Sequence, residues 1–500
     1  MCRTNIFRDL ATAGALCCLL ALVGCTVGPH YHPPTAPAAG TYTPAPQPSQ
    51  TVSTSGLAGD AQRFGSTTDL PAQWWTLFQS PQINRMVQQA LENSPTLAQA
   101  QAKLKEAQEE LGARTGATKY PSVGGSASVQ EEQPNLAAYG IPFPNPAPFT
   151  LLNGSIAVSY ALDLFGANRH LIEGLRAQTE YEAWQLEGAH LMLAGNVVTT
   201  AIRQAQVRSQ IEVTQRMVAL QKQELSIVEQ RLHAGGASEA EVRSQRTTVA
   251  QLQASLPPLK LQLDTMNDQL ALLMGKPASE AQVETVRLED LHLPSDLPLS
   301  LPSALVRQRP DIRGAEALLH QASANVGVAT ANLYPQIVLT GSGGGIGTKF
   351  TSGGDLWNVG ASLTQPLYNG GALHAEKRKA EAAYQEAGSV YRQTVLQAFR
   401  EVADELHAIT RDAEALQART EAAAAAEDSY QIDSHRYQSG GISQLALLDA
   451  QRQQLQTALD RSTSAANRFA DSATLFEVLG GGWWNAKSAD PNQAHASAAR

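Results

Sequence analysis

All four cysteines of the chain (Cys2, Cys17, Cys18 and Cys25) lie in its first 25 residues. Only Cys25 stands where a thiol has chemistry to do. The stretch LVGCTVG, residues 22–28, follows the apolar run Leu10–Leu22, with Arg3 and Arg8 ahead of it. An apolar run of roughly 13 residues is too short to span a bilayer, which needs about 20, and it reads as a secretory signal over residues 1–24. Leu22-Val23-Gly24-Cys25 fits the bacterial lipoprotein box, in which the thiol is acylated and the cysteine becomes the first residue of the mature chain. An ordinary signal peptide with an incidental cysteine is the other reading. A lipid on Cys25 is the one covalent group expected, and a single chain gives only marginal binding to a membrane. Thr26 follows, where an aspartate would favour the inner membrane. With one thiol left, the mature protein must fold without disulfides, even in an oxidising compartment.

Other chemistry is sparse. No CxxC or HExxH occurs, and the six methionines are scattered, so no tight or soft metal site is expected. His30 and His32 form a lone HxH. The tract GSGGGIGTK (Gly341–Lys349) is not a phosphate loop, because Gly347-Thr348-Lys349 reverses the order that loop requires. No catalytic constellation emerges, and the expectation is no enzyme and no cofactor beyond the lipid. A net charge of −9 argues against nucleic acid as a partner. After the signal no apolar run reaches about 18 residues, so any membrane crossing is not by helices.

The chain reads as written twice. Tyr120-Pro121 recurs as Tyr334-Pro335, Arg231–Gly236 as Arg436–Gly441, Asp163–Gly166 as Pro366–Gly370, and Leu273–Gly275 as Val478–Gly480. Four landmarks in one order at nearly one offset indicate a duplicated unit. The division is a linker over 25–79, a first repeat over 80–275, a Pro-containing linker over 276–301, a second repeat over 302–480 and a tail over 481–500 expected to be mobile. The first repeat reads as a helix over 80–119 that Pro95 interrupts early, a strand PSVGGSASV, a proline-rich loop, and a strand within NGSIAVSYALDLFG. A very long helix over 167–233 ends at Gly235-Gly236, and a shorter one covers 238–274. The second repeat gives a helix over 303–332, a strand PQIVLTGSG, and a strand over 356–365. A long helix over 372–437 turns at Gly440-Gly441, and a last helix ends near Leu479.

The long helices carry apolar seams stepping by four and three. Val395, Phe399, Val402, Leu406, Ile409, Ala413 and Leu416 form one. Val207, Ile211, Thr214, Val218, Gln221, Leu225, Val228 and Leu232 form another, with two polar exceptions. A third runs Val249, Leu252, Leu256, Leu259, Leu263, Met266, Leu270, Leu273. A mean step of about 3.5 winds paired helices into left-handed coiled coils, and Pro257-Pro258 predict a local kink. A soluble bundle shows such seams too. Length separates the readings: about 67 residues at 1.5 Å each reach roughly 100 Å, the wall of a tube. The strands alternate with period two, Ile156, Val158, Tyr160 and Leu162 on one face, and Trp357, Val359, Ala361 and Leu363 on one face. Strands of about 9–12 residues cross a bilayer at a tilt, and a sheet in lipid must close. Four strands cannot enclose a lumen, whereas three chains give twelve. The expectation is a homotrimer sharing one barrel, with the glycine tract as a loop at its outer rim and Trp357 and Phe350 in an aromatic girdle. A small soluble sheet is the rival. Trp74-Trp75 and Trp483-Trp484 read as packing residues.

CTVGPHYHPP, QWWTLFQSPQINRMVQQALENSPTL, DLFGANRHLIEGLRAQ, LVRQRPDIRGAEALLHQASANVGVATANLYPQIVLTGSGG, TQPLYNGGALHAEKRKAE and GGISQLALLDAQ together resemble the TolC-like outer-membrane efflux proteins, in their NodT-type lipoprotein branch. The likeness covers nearly all of 25–480. It implies a mainly α fold with a membrane β-barrel: a trimeric channel-tunnel of twelve shared strands over a periplasmic α-barrel. It implies a passive exit duct for small toxic molecules in the outer membrane, partnered by a periplasmic adaptor and an inner-membrane transporter of the resistance-nodulation-division type. A duct for type I protein secretion is a second reading, and a coiled-coil lipoprotein without a pore is a third. In the family an acidic residue in the LDA stretch lines the narrow periplasmic entrance, which maps to Asp449. A second acidic position three residues earlier is Ala446 here, a departure from the pattern. A solvated helix carboxylate is the other reading of Asp449.

Overall fold

The computed structural model describes residues 26–35, 40–65, 70–140, 142–300, 302–349 and 353–485. The signal segment, Cys25, Phe350 and the tail from Ser488 lie outside the described residues. In order along the chain come β1 (Arg63–Gly65), α1 (Pro81–Asn93), α2 (Pro95–Lys119), β2 (Ser122–Glu132), β3 (Phe149–Leu162), α3 (Ala167–His233) and α4 (Glu239–Leu273). There follow β4 (Asp296–Pro298), α5 (Pro302–Gln308), α6 (Pro310–Ala331), β5 (Gln336–Gly347), β6 (Gly353–Thr364), α7 (Ala372–Gln438) and α8 (Gln444–Val478). Both long helices have 67 residues and both of their shorter successors have 35.

Two expected helices are each divided by a proline. Pro95 has no N–H to give and holds Ser94 extended (φ −66°, ψ 122°), so the span 80–119 becomes α1 and α2. Pro310, likewise without an N–H, opens α6 two residues after α5 ends at Gln308. Pro257-Pro258 lie inside α4, which continues through them.

The chain forms two compact units. One comprises the residues up to Pro34, Lys103–Ala183 and Gly314–Arg392; the other comprises Thr35–Ala102, Trp184–Arg313 and the residues from Gln393 onward. The first holds an antiparallel sheet in the order β2-β3-β5-β6. Its register sorts side chains by chemistry, because residues paired directly across strands share a face. One row is Gly125, Ile156, Gly343 and Trp357; the next is Val123, Val158, Gly341 and Val359. Tyr160, Leu339 and Ala361, then Leu162, Ile337 and Leu363, extend the same face. The opposite face is small and polar over its middle rows, Ser122, Ser159 and Thr340 in one, Ser342 and Asn358 in the next, then Ser126 and Ser155, whose hydroxyls meet at 2.9 Å, in a row that also holds Leu356; Ile346, Leu151 and Phe149 lie further along the same face. Among the described residues nothing covers the apolar face at Trp357 and Val359, which are 76% and 82% exposed.

The glycine tract corrects one expectation. Gly341–Gly347 are not a rim loop but the second half of β5, paired on both sides. A Cβ on Gly344 would run into the backbone of Gly154 and Ser155, so close strand approach accounts for the glycine there.

The second unit has an aromatic core. Trp74 packs on Phe476 (5.8 Å between centroids) and Phe78 on Phe469 (6.5 Å), while Trp184 meets Trp483 at 5.1 Å. Here the expected packing role of Trp74 and Trp483 is realised. The expected linker is laid down in part on this core. Arg468 of α8, 1% exposed, donates to the Ala58 carbonyl, to Thr51 Oγ1 (3.2 Å) and to Gln62 Oε1 (3.0 Å). Gln62 in turn donates to Ser472 Oγ (2.8 Å). These bonds occupy its two terminal nitrogens, while Nε is buried without a hydrogen-bond partner, so the cost of burying the guanidinium is only partly offset.

Candidate functional site: the helix-hairpin tips

Each long helix turns back on its successor through a Gly-Gly pair. Gly235 and Gly440 take φ 77° and 78°, the left-handed region where an L side chain is strained. Their partners do something else. Gly236 N–H donates to the Arg231 carbonyl and Gly441 N–H to the Arg436 carbonyl, both at 2.7 Å. A Cβ on Gly441 would sit 3.3 Å from that carbonyl oxygen. The next helices then start on capping serines. Ser238 Oγ accepts from Glu241 N–H at 3.2 Å while Glu241 reaches back to Ser238 N–H, and Ser443 Oγ accepts from Ala446 N–H at 3.3 Å.

Just above these turns, four helices meet on one carboxylate. Glu224 of α3 accepts a hydrogen bond from Tyr430 Oη of α7 (3.1 Å), another from the Gln451 amide of α8, and a long one from Gln245 Nε2 of α4 (3.5 Å). Gln245 Nε2 also donates to Gln221 Oε1 at 2.6 Å, and Gln444 Nε2 to the Glu241 carbonyl at 3.0 Å. Burial pushes the Glu224 carboxyl above the ordinary glutamate range, and the donors around it only partly offset this. Toward the turns, Tyr430, Tyr437, Leu447 and Ile442 form a small apolar plug, and the Arg231 guanidinium lies over the Tyr437 ring at 5.1 Å. The node therefore ties the α3–α4 hairpin to the α7–α8 hairpin.

Asp449 is on α8 two residues from Gln451 but outside the node. Its side chain is 56% exposed and accepts from Arg452 Nη2 at 2.8 Å, one turn along the same helix. Glu224, Gln245 and Gln451 were not singled out by sequence. A signal was present: Gln221 broke the apolar seam of α3, and the structure shows it 1% exposed. A polar residue at a seam position fixes how helices pair.

With sheet and hairpins in place, comparison with known proteins defines the class. The chain belongs to the Outer membrane efflux protein family, whose profile matches residues 86–276 and again residues 301–481. It is an outer-membrane efflux protein. It is 29% identical over 480 residues to the pyoverdine export outer membrane protein OpmQ of Pseudomonas putida, covering 93% of this chain and 96% of that one. It is 28% identical over 484 residues to the probable outer membrane lipoprotein SilC of Salmonella typhimurium, covering 93% and 97%. The solved structure of the outer-membrane channel OprN superposes with a TM-score of 0.83 at 26% identity, covering 92% of this chain and all of that one.

Proposed function

We propose that three copies of this chain close twelve strands into one barrel and that the trimer is the passive exit duct of a tripartite efflux pump. The observation that carries this is the sheet: an apolar face over the rows from Gly125 to Leu162, a small polar face over the rows from Ser122 to Ser155, and, among the described residues, β2 and β6 each paired on one side only. A sheet of that kind is stable in lipid only when its edges are joined. The polar face then lines water and the apolar face meets hydrocarbon, with Trp357 in an aromatic belt. The twofold match of the family profile supports a duplicated architecture. A lipid on Cys25, as the name of SilC supports, adds a second hold on the membrane. A periplasmic adaptor and an inner-membrane transporter supply partner and energy, and nothing in the chain is assigned to catalysis.

The hairpin tips are the periplasmic entrance in this reading. Three copies of Asp449 near one axis would repel one another and attract cations. Purified protein in a planar bilayer tests the duct: steady ohmic steps are expected, and silence across a range of potentials contradicts it and favours a coiled-coil lipoprotein without a pore. Asp449→Ala tests the entrance in the same apparatus. Weaker block by divalent or trivalent cations is expected; unchanged current with unchanged block removes Asp449 from the entrance.

A further inference from the structure

The segment Thr26–Tyr31 is held against α3 and α6. Val27 N–H donates to the Phe165 carbonyl (3.1 Å), and Arg169 Nη1 donates to Thr26 Oγ1 (3.2 Å). His170 Nε2 lies 3.1 Å from the Val27 carbonyl oxygen, and the Tyr31 ring stacks on His320 at 4.2 Å and 12°. Glycines make the fit. Gly28 has φ 127°, and a Cβ there would lie 2.8 Å from Gly327 Cα; a Cβ on Gly327 would fall 2.5 Å from His170 Cγ, inside the ring's own volume.

His170 is the centre of this contact, with its side chain 6% exposed. Its Nδ1 lies 2.9 Å from Glu173 Oε2 and its Nε2 faces the Val27 carbonyl. Both neighbours are acceptors. A neutral imidazole carries one N–H, so it can serve only one of them; both bonds together require the doubly protonated ring. The carboxylate side is set from α6, where His320 Nε2 lies 2.9 Å from Glu173 Oε1. Burial works against the Glu173 carboxylate, but the hydrogen bonds from His320 and His170 outweigh it and hold the group below the ordinary glutamate range. Glu173 is thus the anion between two histidines. Other charged or titratable groups on the packed elements include Arg169, engaged with Asp163 at 3.3 Å, Arg176 of α3, Glu316 of α6, and His30 and Tyr31 of the segment itself.

We propose that residues 26–31 are a strap clamped by the His170 imidazolium, and that the clamp loosens as pH rises and one of its two bonds is lost. Thr26 is one peptide bond beyond Cys25, so a closed clamp fixes where a lipid on Cys25 joins the protein. That consequence rests on the lipid reading; the clamp does not.

Hydrogen–deuterium exchange of the full chain in detergent micelles tests it, read on the peptide covering 26–34 between pH 5.5 and 8.5 after correction for intrinsic rate. The strap's opening equilibrium is expected to rise at least tenfold across the range, with the Val27 amide as reporter, while α4 peptides stay constant. His170→Gln, with no titrating proton, is expected to flatten the profile. A wild-type profile that is flat, that shows full exchange at pH 5.5, or that rises in parallel with α4 overturns the clamp, with no need of a variant. Cys25→Ser, which cannot be acylated there, is expected to keep the profile. Loss of protection in that variant alone would show that the lipid does the holding, and also overturns it.

Discussion

Glu405 of α7 and Asp471 of α8 are carboxyls placed where charge is costly. Glu405 Oε1 and Asp471 Oδ2 are buried without a hydrogen-bond partner. Burial first, then the charge of Asp412, pushes Glu405 up to about 8, and the same causes raise Asp471. A carboxyl raised in the folded state keeps its proton there while the unfolded chain, at an ordinary value near ~4.3, has lost it. Stability contributed by such a group is present below about pH 4 and declines as pH rises toward 8. Glu405→Gln keeps the shape without the proton, so the variant should gain roughly 1–3 kcal/mol on wild type between pH 5 and 8. Paired thermal melts at those two values check this; an equal difference at both is against it. Glu224 predicts the opposite sign of change. Glu224→Ala leaves the Tyr430 hydroxyl and the Gln451 amide without their acceptor, at a cost of about 1–3 kcal/mol. Faster amide exchange confined to the hairpin tips is expected, and no change there would show that the node ties nothing. These residues were the least legible part of the sequence. Periodicity marks a polar residue in a seam, as at Gln221, but it does not say which carboxylate from another turn will meet it.

At the scale of elements the sequence spoke more clearly. Both 67-residue helices and the Gly-Gly turns were legible, because a long heptad seam ended by glycine has few other solutions. The seam of α7 is buried at Val395, Val402, Leu406, Ile409, Ala413 and Leu416. The interruption at Pro95 was legible from the proline itself, whereas the division at Pro310 was lost inside strong helical composition. The glycine tract of β5 was misread because glycine commonly marks loops, whereas here it admits a neighbouring strand closely. The two glycines of each turn also differ in role. Gly440→Ala must place a Cβ at φ 78° and should cost about 1–2 kcal/mol. Gly441→Ala faces only a tight carbonyl contact and should cost less. Denaturant midpoints for the two variants check the order, and equal losses would mean that backbone strain is not what the first glycine relieves.

For the molecule as a whole, the sheet makes a claim about copies. The period-two alternation was visible in the sequence, but only the register shows that Ile156 of β3 and Trp357 of β6 lie in one row through Gly343. That row turns two separate alternations into one apolar surface whose edges end at β2 and β6. Closure by three copies requires β6 of one chain to pair with β2 of the next. The direct test is cysteine cross-linking in membranes, pairing substitutions at Gly360, Ser362 or Thr364 with substitutions at Gly124, Ser126 or Ser128, then oxidising and separating by mass. At least one pair should give a ladder of covalent species that stops at three chains, with each single substitution giving none. Monomers at every pair, or a ladder that continues past three, would contradict the shared barrel.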